Sequence, residues 1–179
     1  MEKEVKTFRC ILGDDACIEL STNGSLVVRN NKSKKEWSNV VKSHFAFNIY
    51  YLDNVKEKKC GYRDYIISED LFSFYDAIAE AIMCNKQEYI SNPDPLTTDW
   101  DIKANSVVRK NGNGEIEEES LYDITFFRNI GAKLGFRLPP LFKKDLLKIE
   151  KTLREFFQYM IENSITEAEY IRLNKGGEK

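Results

Sequence analysis

The stretch Phe47-Asn-Ile-Tyr-Tyr-Leu-Asp-Asn54 resembles the stretch Tyr122-Asp-Ile-Thr-Phe-Phe-Arg-Asn129, which lies 75 residues further along the chain. Both are rich in aromatic and β-branched residues, a composition that is typical of β-strands. Self-similarity at a fixed separation is the sequence signature of an internally repeated structure. These two predicted strands therefore decide how the rest of the sequence is interpreted.

The same separation of 75 residues relates the apolar positions of the segments that follow. Ile78 corresponds to Leu153, and both belong to apolar stripes at the spacing of an amphipathic helix. Upstream, residues 27–29 match residues 107–109 at a separation of 80 residues, since both read Val-Val-Arg. A difference of five residues in the intervening loop reconciles the two separations. The alternative is that two amphipathic helices that follow two strands align by chance. The repeated order of elements favours an internal duplication.

Turn signals divide the first half into strands. Gly13-Asp14-Asp15 is one turn sequence, and residues 21–24 contain Asn-Gly, which tolerates the positive φ that a hairpin turn requires. Ser68 is predicted to cap a helix whose first turn contains Glu69 and Asp70, which favour the helix dipole. The strands expected before this helix are residues 4–12, 16–20, 25–30, 44–52 and 62–67.

The second half is predicted to repeat this layout. Residues 91–95 (Ser-Asn-Pro-Asp-Pro) break the pattern and are the expected linker. Residues 111–114 (Asn-Gly-Asn-Gly) indicate a hairpin turn. Pro139 and Pro140 precede a long helix expected from about residue 141 to residue 163. The strands expected before this helix are residues 102–110, 115–119, 121–129 and 133–138.

The predicted fold class is therefore α+β. It has two pseudo-repeats, each an antiparallel β-sheet of about four strands followed by one amphipathic helix. The predicted halves are residues 1–90 and 96–179, which the linker joins within one compact domain. Sheets of this kind bury one face against helices and leave the other face available.

Composition limits the class of protein further. The chain has 179 residues, of which 42% are hydrophobic and 31% are charged, as in an ordinary globular domain. It has no run of about 18 apolar residues, which a membrane span needs, and its N-terminus is charged rather than apolar. We therefore expect a cytoplasmic protein with reduced cysteines. With four dispersed cysteines and one histidine, we expect no metal and no other cofactor.

Charge is segregated along the chain, although the net charge is only −2. Residues 29–42 hold five basic residues and one acid, whereas residues 64–101 hold nine acids and one lysine. Residues 115–123 hold five acids and no basic residue. The distribution of charge matters more for recognition than its sum, so both the basic and the acidic segments are candidates for binding.

A doubled unit of four strands and one helix resembles the Whirly and Pur-alpha-type single-stranded nucleic-acid-binding proteins. The resemblance is one of topology and extends over about residues 8–161. Locally, residues 51–57 (Tyr-Leu-Asp-Asn-Val-Lys-Glu), with Gly61 and Arg63 after them, resemble the strand and turn of a Pur repeat. In Pur repeats another strand separates that turn from the helix, so no motif residue is carried over. The resemblance implies binding of single-stranded DNA or RNA on the sheet faces.

Strand alternation nominates the residues that would contact such a ligand. Phe45, Phe47, Ile49 and Tyr51 share one side of a strand, which is the expected core side. Tyr50, and Phe127 in the second half, then point the other way as stacking platforms, while basic side chains contact phosphates. The alternative for each is ordinary packing or a solvated surface. The nominated nucleic-acid-binding residues are Arg29, Lys34, Lys35, Trp37, Tyr50, Arg63, Arg109 and Phe127.

The sequence favours a binding protein over an enzyme. It contains no glycine-rich phosphate loop, and His44 has no recognisable serine or cysteine motif nearby. The rival interpretation is an acidic inhibitor, of the immunity type or phage-encoded, that presents carboxylates to a basic protein partner. The run of glutamates in residues 115–119 would suit that role, or would protect an edge strand from aggregation. Exposed sheet edges also make a homo-oligomer possible.

Overall fold

The computed structural model describes residues 5–13, 15–22, 27–28, 44–52, 58–84, 88–90, 98–130 and 132–175. The first elements in chain order are β1 (Lys6–Leu12), β2 (Ala16–Thr22), β3 (Val27–Val28), β4 (His44–Leu52), β5 (Lys58–Ile67) and α1 (Ser68–Met83). Four of these strands form an antiparallel sheet in the order β1-β2-β4-β5, which we call the first sheet. Its edge strands are therefore β1 and β5.

The next elements are β6 (Glu88–Ile90), β7 (Asp99–Lys110), β8 (Ile116–Ile130), β9 (Ala132–Arg137), β10 (Leu141–Phe142) and α2 (Lys143–Glu162). The second sheet has the order β10-β8-β7-β6, and β9 also pairs with β8. After α2, the short strand β11 (Ile165–Thr166) pairs in parallel with β3, and α3 (Glu167–Lys175) follows. Among the described helices, none is both long enough and apolar enough to cross a lipid bilayer.

The prediction of an α+β fold with antiparallel sheets is confirmed. One prediction in the second half is wrong. Residues 115–119 and 121–129 are not two strands, because residues 116–130 form the single strand β8. Ser120, at the expected break, pairs with Ser106 of β7. The ladder between β7 and β8 is therefore continuous through this polar position.

Both main helices begin at other residues than the sequence predicts. The helix expected from about residue 141 begins at Lys143, because Leu141 and Phe142 pair with β8 as the strand β10. Ser68 is not the N-cap of α1. The extended residue Ile67 occupies that position, and Ser68 is the first helical residue. The predicted linker, residues 91–95, lies outside the described residues.

The core side predicted for β4 is confirmed at Phe45, Phe47 and Ile49, which are all buried. The side chain of Tyr51 lies outside the described part of the chain. On β8 the residues that alternate in the same way are also buried, namely Tyr122, Ile124 and Phe126. Both sheets therefore contribute their apolar side to one core, which runs from residue 10 to residue 160.

The helix α2 packs on the first sheet, although it follows the second sheet in the chain. The ring of Phe156 lies edge-on to Phe8 of β1, with ring centres 5.4 Å apart. It lies edge-on to Phe45 of β4 as well, at 5.1 Å. Such edge-to-face pairs stabilise a core beyond the area that they bury. The first sheet thus depends on the C-terminal part of the chain for its cover.

The helix α1 makes the reciprocal contact with the second sheet. The ring of Phe74 lies 5.4 Å from Trp100 of β7 and 5.3 Å from Phe126 of β8, measured between ring centres. The two helices also meet each other, since Phe72 of α1 lies 4.8 Å from Phe157 of α2. The aromatic residues of each helix therefore bridge the two parts of the chain.

Replacing Phe156 by alanine should lower the free energy of unfolding by about 3–5 kcal/mol, because it leaves a cavity between α2 and the first sheet. Urea denaturation measures this change. Leu147→Ala, on the exposed side of the same helix, is the control and should change the free energy of unfolding by about 0.5 kcal/mol or less. Equal effects of the two substitutions would contradict the packing of α2 on the first sheet.

Candidate nucleic-acid interface

Two of the nominated aromatic residues lie in the protein interior. Tyr50 is 9% exposed and Phe127 is 5% exposed, so neither ring offers a face on which a base could stack. The prediction that they are open stacking platforms is wrong. Their register neighbours on the same side, Cys17 and Asp99, are buried as well. Alternation separates the two sides of a strand, but it does not reveal whether the second side is covered.

The nominated basic residues that the structure describes lie on different sheets. Arg109 is on β7 of the second sheet, where its Nη1 lies 3.4 Å from Glu119 Oε2. Its guanidinium also lies over the ring of Phe142, 4.5 Å from the ring centre. Arg63 is on β5 of the first sheet, so the structure does not bring these two arginines onto one sheet. Four nominated residues lie outside the described part of the chain, so their binding role stays a prediction. They are Arg29, Lys34, Lys35 and Trp37.

Arg63 lies on the side of the first sheet that faces away from the core. Its register neighbour on β4 is Asn48, and the same row continues through Glu19 on β2 to Arg9 on β1. Both arginines are exposed, and they lie on the two edge strands. Three strand spacings, about 14 Å, therefore separate their backbones.

Tyr65 is an exposed aromatic residue beside this row that sequence reasoning missed. It lies two residues beyond Arg63 on the same side of β5, and its side chain is 56% exposed. Its register neighbour on β4 is the small residue Ala46. The alternation of Tyr65 with the buried Ile66 is the signal that could have identified it.

We call the two rows together the outer face of the first sheet. One row carries a tyrosine and small or hydroxyl-bearing residues, and the other carries two arginines, an amide and a carboxylate. The residues of the outer face are Thr7, Ser21, Ala46 and Tyr65 in the first row, and Arg9, Glu19, Asn48 and Arg63 in the second.

Glu19 holds Arg9 in place within the outer face. The Nε of Arg9 donates a hydrogen bond of 2.7 Å to Glu19 Oε2, and the hydroxyl of the buried Tyr50 donates to Glu19 Oε1 at 3.4 Å. The hydrogen bond to the carboxylate, and then its negative charge, raise the pKa of Arg9. A guanidinium has further N–H donors besides Nε, so Arg9 can contact an anion while it keeps this ion pair. Counted over its charged residues, the outer face has a net charge of +1.

No family model, no curated protein and no solved structure matches this chain. In the described ranges, no three side chains of His, Cys, Asp or Glu lie together as ligands for a metal ion. The candidate interface is thus defined by the geometry and charge of the outer face.

A polar network attaches β5, the strand of Arg63 and Tyr65, to the second part of the chain. The hydroxyl of Tyr62 lies 3.0 Å from Thr98 Oγ1 and donates to Asp64 Oδ2 at 3.3 Å. The same carboxylate oxygen lies 3.2 Å from Nε of Arg128 on β8. The backbone N–H of Thr98 also donates to the carbonyl oxygen of Tyr65, at 2.7 Å. These bonds hold the edge strand that presents the tyrosine ring.

The titration of Tyr62 offers a test of the burial of its hydroxyl beside this network. Burial raises its pKa to about 12, above the ordinary value of about 10. The folded protein thus holds the phenolic proton more tightly than the unfolded chain does. The resulting stability is present below about pH 10 and is lost as the pH rises towards 12.

Replacing Tyr62 by phenylalanine should therefore reduce the loss of stability between about pH 10 and 12. At neutral pH it should lower the free energy of unfolding by about 1 kcal/mol, because Thr98 and Asp64 lose a hydrogen-bond partner. Urea denaturation at neutral and alkaline pH measures both effects. Tyr65→Phe keeps Tyr62 and is the control. A Tyr62→Phe protein with the wild-type alkaline loss would contradict the assignment.

Proposed function

We propose that the protein binds single-stranded DNA or RNA, without catalysis, on the outer face of the first sheet. The observation that carries this proposal is the exposed ring of Tyr65 beside Arg63, with Arg9 on the opposite edge strand. Aromatic rings on a sheet provide stacking surfaces for unpaired bases, and arginine side chains contact the phosphates. This combination of one aromatic residue with two cations favours a ligand that has both unpaired bases and phosphates.

A single strand fits the outer face better than a duplex does. The faces of the bases in a duplex are covered by stacking, whereas a single strand can turn a base onto a protein ring. Asn48 lies between the arginines in the same row, and its amide can both donate to and accept from the edge of a base. The face thus offers separate partners for base plane, base edge and phosphate.

We also propose that the two sheet-and-helix parts are pseudo-repeats, as the similarity of residues 47–54 to residues 122–129 indicates. In support, α1 follows the first sheet and α2 follows the second, and each packs on the sheet of the other part. The hydroxyl of Tyr75 donates a hydrogen bond of 3.0 Å to Glu150 Oε1. These two residues occupy equivalent positions at the separation of 75 residues, and equivalent positions meet where a pseudo-twofold axis passes.

Replacing Tyr65 by alanine should weaken the binding of a labelled single-stranded oligonucleotide by about 5- to 100-fold, because it removes one stacking platform. Fluorescence anisotropy with full-length protein measures the affinity. Arg63→Ala should weaken binding and lower the slope of log affinity against log salt by about 0.7, the value for one phosphate contact to a single strand. Both effects should be larger for single-stranded than for double-stranded DNA.

The controls remove similar side chains from other surfaces. Leu147→Ala removes an exposed apolar side chain from α2, and Arg172→Ala removes an exposed arginine from α3. Neither should change the affinity by more than about twofold. Wild-type affinity in the Tyr65→Ala protein, or equal affinity for single strand and duplex, would show that the outer face is not the site.

The substitution Glu19→Gln should strengthen oligonucleotide binding, whereas the substitutions above should weaken it. This substitution keeps the shape of the side chain and removes the negative charge between the two arginines. The affinity for the oligonucleotide should rise by about two- to fivefold, the scale of an ion pair that has one exposed partner. Glu162→Gln removes one negative charge from α2 and should have no such effect. Weaker binding by a folded Glu19→Gln protein would count against phosphate contact at Arg9.

A further inference from the structure

The strands β7 and β8 extend beyond the rest of the second sheet as a two-stranded arm. Among the described strands, β6 pairs with β7 only at residues 101–103, and β10 pairs with β8 only at residues 121–122. Within the described chain, residues 106–110 of β7 therefore pair only with residues 116–120 of β8. We call residues 106–120 the arm.

One side of the arm continues the side of the second sheet that faces the core. The buried Tyr122 lies on this side, and its hydroxyl donates a hydrogen bond of 3.1 Å to the carbonyl oxygen of Ala81 in α1. The helix ends two residues later, at Met83. We call the continuation of this side the arm face. Its residues, which alternate along the two strands, are Ser106, Val108, Lys110, Ile116, Glu118 and Ser120.

Two aliphatic side chains of the arm face are open to solvent. Val108 is 66% exposed and Ile116 is 70% exposed. They lie in adjacent pairs of the ladder, since Val108 is opposite Glu118 and Ile116 is opposite Lys110. Diagonal neighbours of this kind are about 7–8 Å apart, which is within reach of each other. The two side chains therefore form one apolar strip across the arm face.

The charged side chains of the arm face occupy the other diagonal of the same four positions. Lys110 and Glu118 are both exposed. The hydroxyl of Ser106 donates a hydrogen bond to Glu118 Oε1, which holds the carboxylate on the arm face. One positive and one negative charge thus lie on opposite sides of the apolar strip.

Hydrogen bonds of Asn111 hold the tip of the arm. Its backbone N–H donates to the carbonyl oxygen of Glu115 at 2.9 Å. Its Oδ1 accepts from the backbone N–H groups of Asn113 and Glu115, at 3.0 and 2.9 Å. Gly114 has a φ of +81°, which glycine adopts without strain. A surface that is ordered in advance loses less conformational entropy on binding.

We propose that the arm face binds the arm face of a second copy of this chain, which gives a symmetric dimer. Charge complementarity selects this occupant. A twofold axis along the line from Val108 to Ile116 places each of these side chains against its own counterpart. The same axis brings Lys110 of each copy close to Glu118 of the partner subunit. Because a twofold interface repeats every contact, two ion pairs flank the apolar strip.

The edges of the arm are less suited to closed self-association than its face. Residues 117–119 are all glutamate, so antiparallel pairing of β8 with β8 of another copy sets like charges against each other. Pairing of β7 with β8 of another copy is heterologous and continues as an open chain of copies. Pairing of two β7 edges leaves Glu118 outside the interface, so substitution of Glu118 distinguishes that arrangement.

The size of the arm face predicts a weak dimer. It contributes six residues from each copy, whereas a stable interface has about 20–30 residues on each side. We therefore expect a Kd between about 10 µM and 1 mM. The arm shares no residue with the outer face of the first sheet. Measured without nucleic acid, dimerisation can therefore fail without a failure of the proposed oligonucleotide binding.

Sedimentation equilibrium of the full-length protein, over about 10 µM to 1 mM, measures this association. Val108→Thr combined with Ile116→Thr should weaken it by about tenfold or more, because the apolar strip is lost while both residues stay β-branched. The matched control is Ile11→Thr combined with Ile90→Thr, which alters two exposed isoleucines on the strands β1 and β6. The control should change the Kd by no more than about twofold.

Exchange of the two charges tests the symmetry of the dimer. Lys110→Glu alone and Glu118→Lys alone should each weaken self-association by about fivefold or more, because both ion pairs become like-charge pairs. An equimolar mixture of these two variants should associate about as tightly as the wild type, since every such pair is again of opposite charge. Recovery in the mixture also shows that both variants are folded.

Several results would overturn the proposal. These are a wild type that stays monomeric at the highest concentration, an equal loss of association in the two threonine double variants, or no recovery of association in the mixture. Wild-type association in the Glu118→Lys protein would identify the edge of β7, rather than the arm face, as the contact between copies.

Discussion

The ring of Phe126 joins three layers of the protein. Its centre lies 4.7 Å from that of Phe47 in the first sheet and 5.3 Å from that of Phe74 in α1, while its own strand belongs to the second sheet. All three rings are fully buried. Aromatic side chains bury more apolar area than any others, so their packing dominates the energy of a core of this size. The positions of both sheets and of α1 are therefore mutually dependent.

Each helix packs on the sheet of the other part of the chain, because both sheets share this core. Phe156 of α2 packs on β1 and β4, while Phe74 of α1 packs on β7 and β8. The buried inner side chains of β4 and of residues 122–126 in β8 are thus used for packing. On the first sheet this leaves the row of Arg9 and Arg63 with the ring of Tyr65. The edge strand that presents Tyr65 is held by bonds to Thr98 and Arg128.

The surface has two regions of opposite character, although the net charge of the chain is only −2. The outer face of the first sheet has two arginines around Glu19, whereas α1 exposes Asp76 and Glu80 and contains no basic residue. A net charge near zero therefore conceals a cationic and an anionic surface. Local charge, rather than net charge, sets the electrostatic potential over each of them.

The sequence by itself determined the α+β class and the core side of β4, because the alternation of Phe45, Phe47 and Ile49 is a local pattern with a period of two residues. It did not determine that Tyr50 and Phe127 are buried or that Tyr65 is exposed. Both sides of a strand can carry aromatic residues, and only the elements packed over each side decide which of them meet water. These contacts join residues far apart in the chain, so tertiary structure alone decided them.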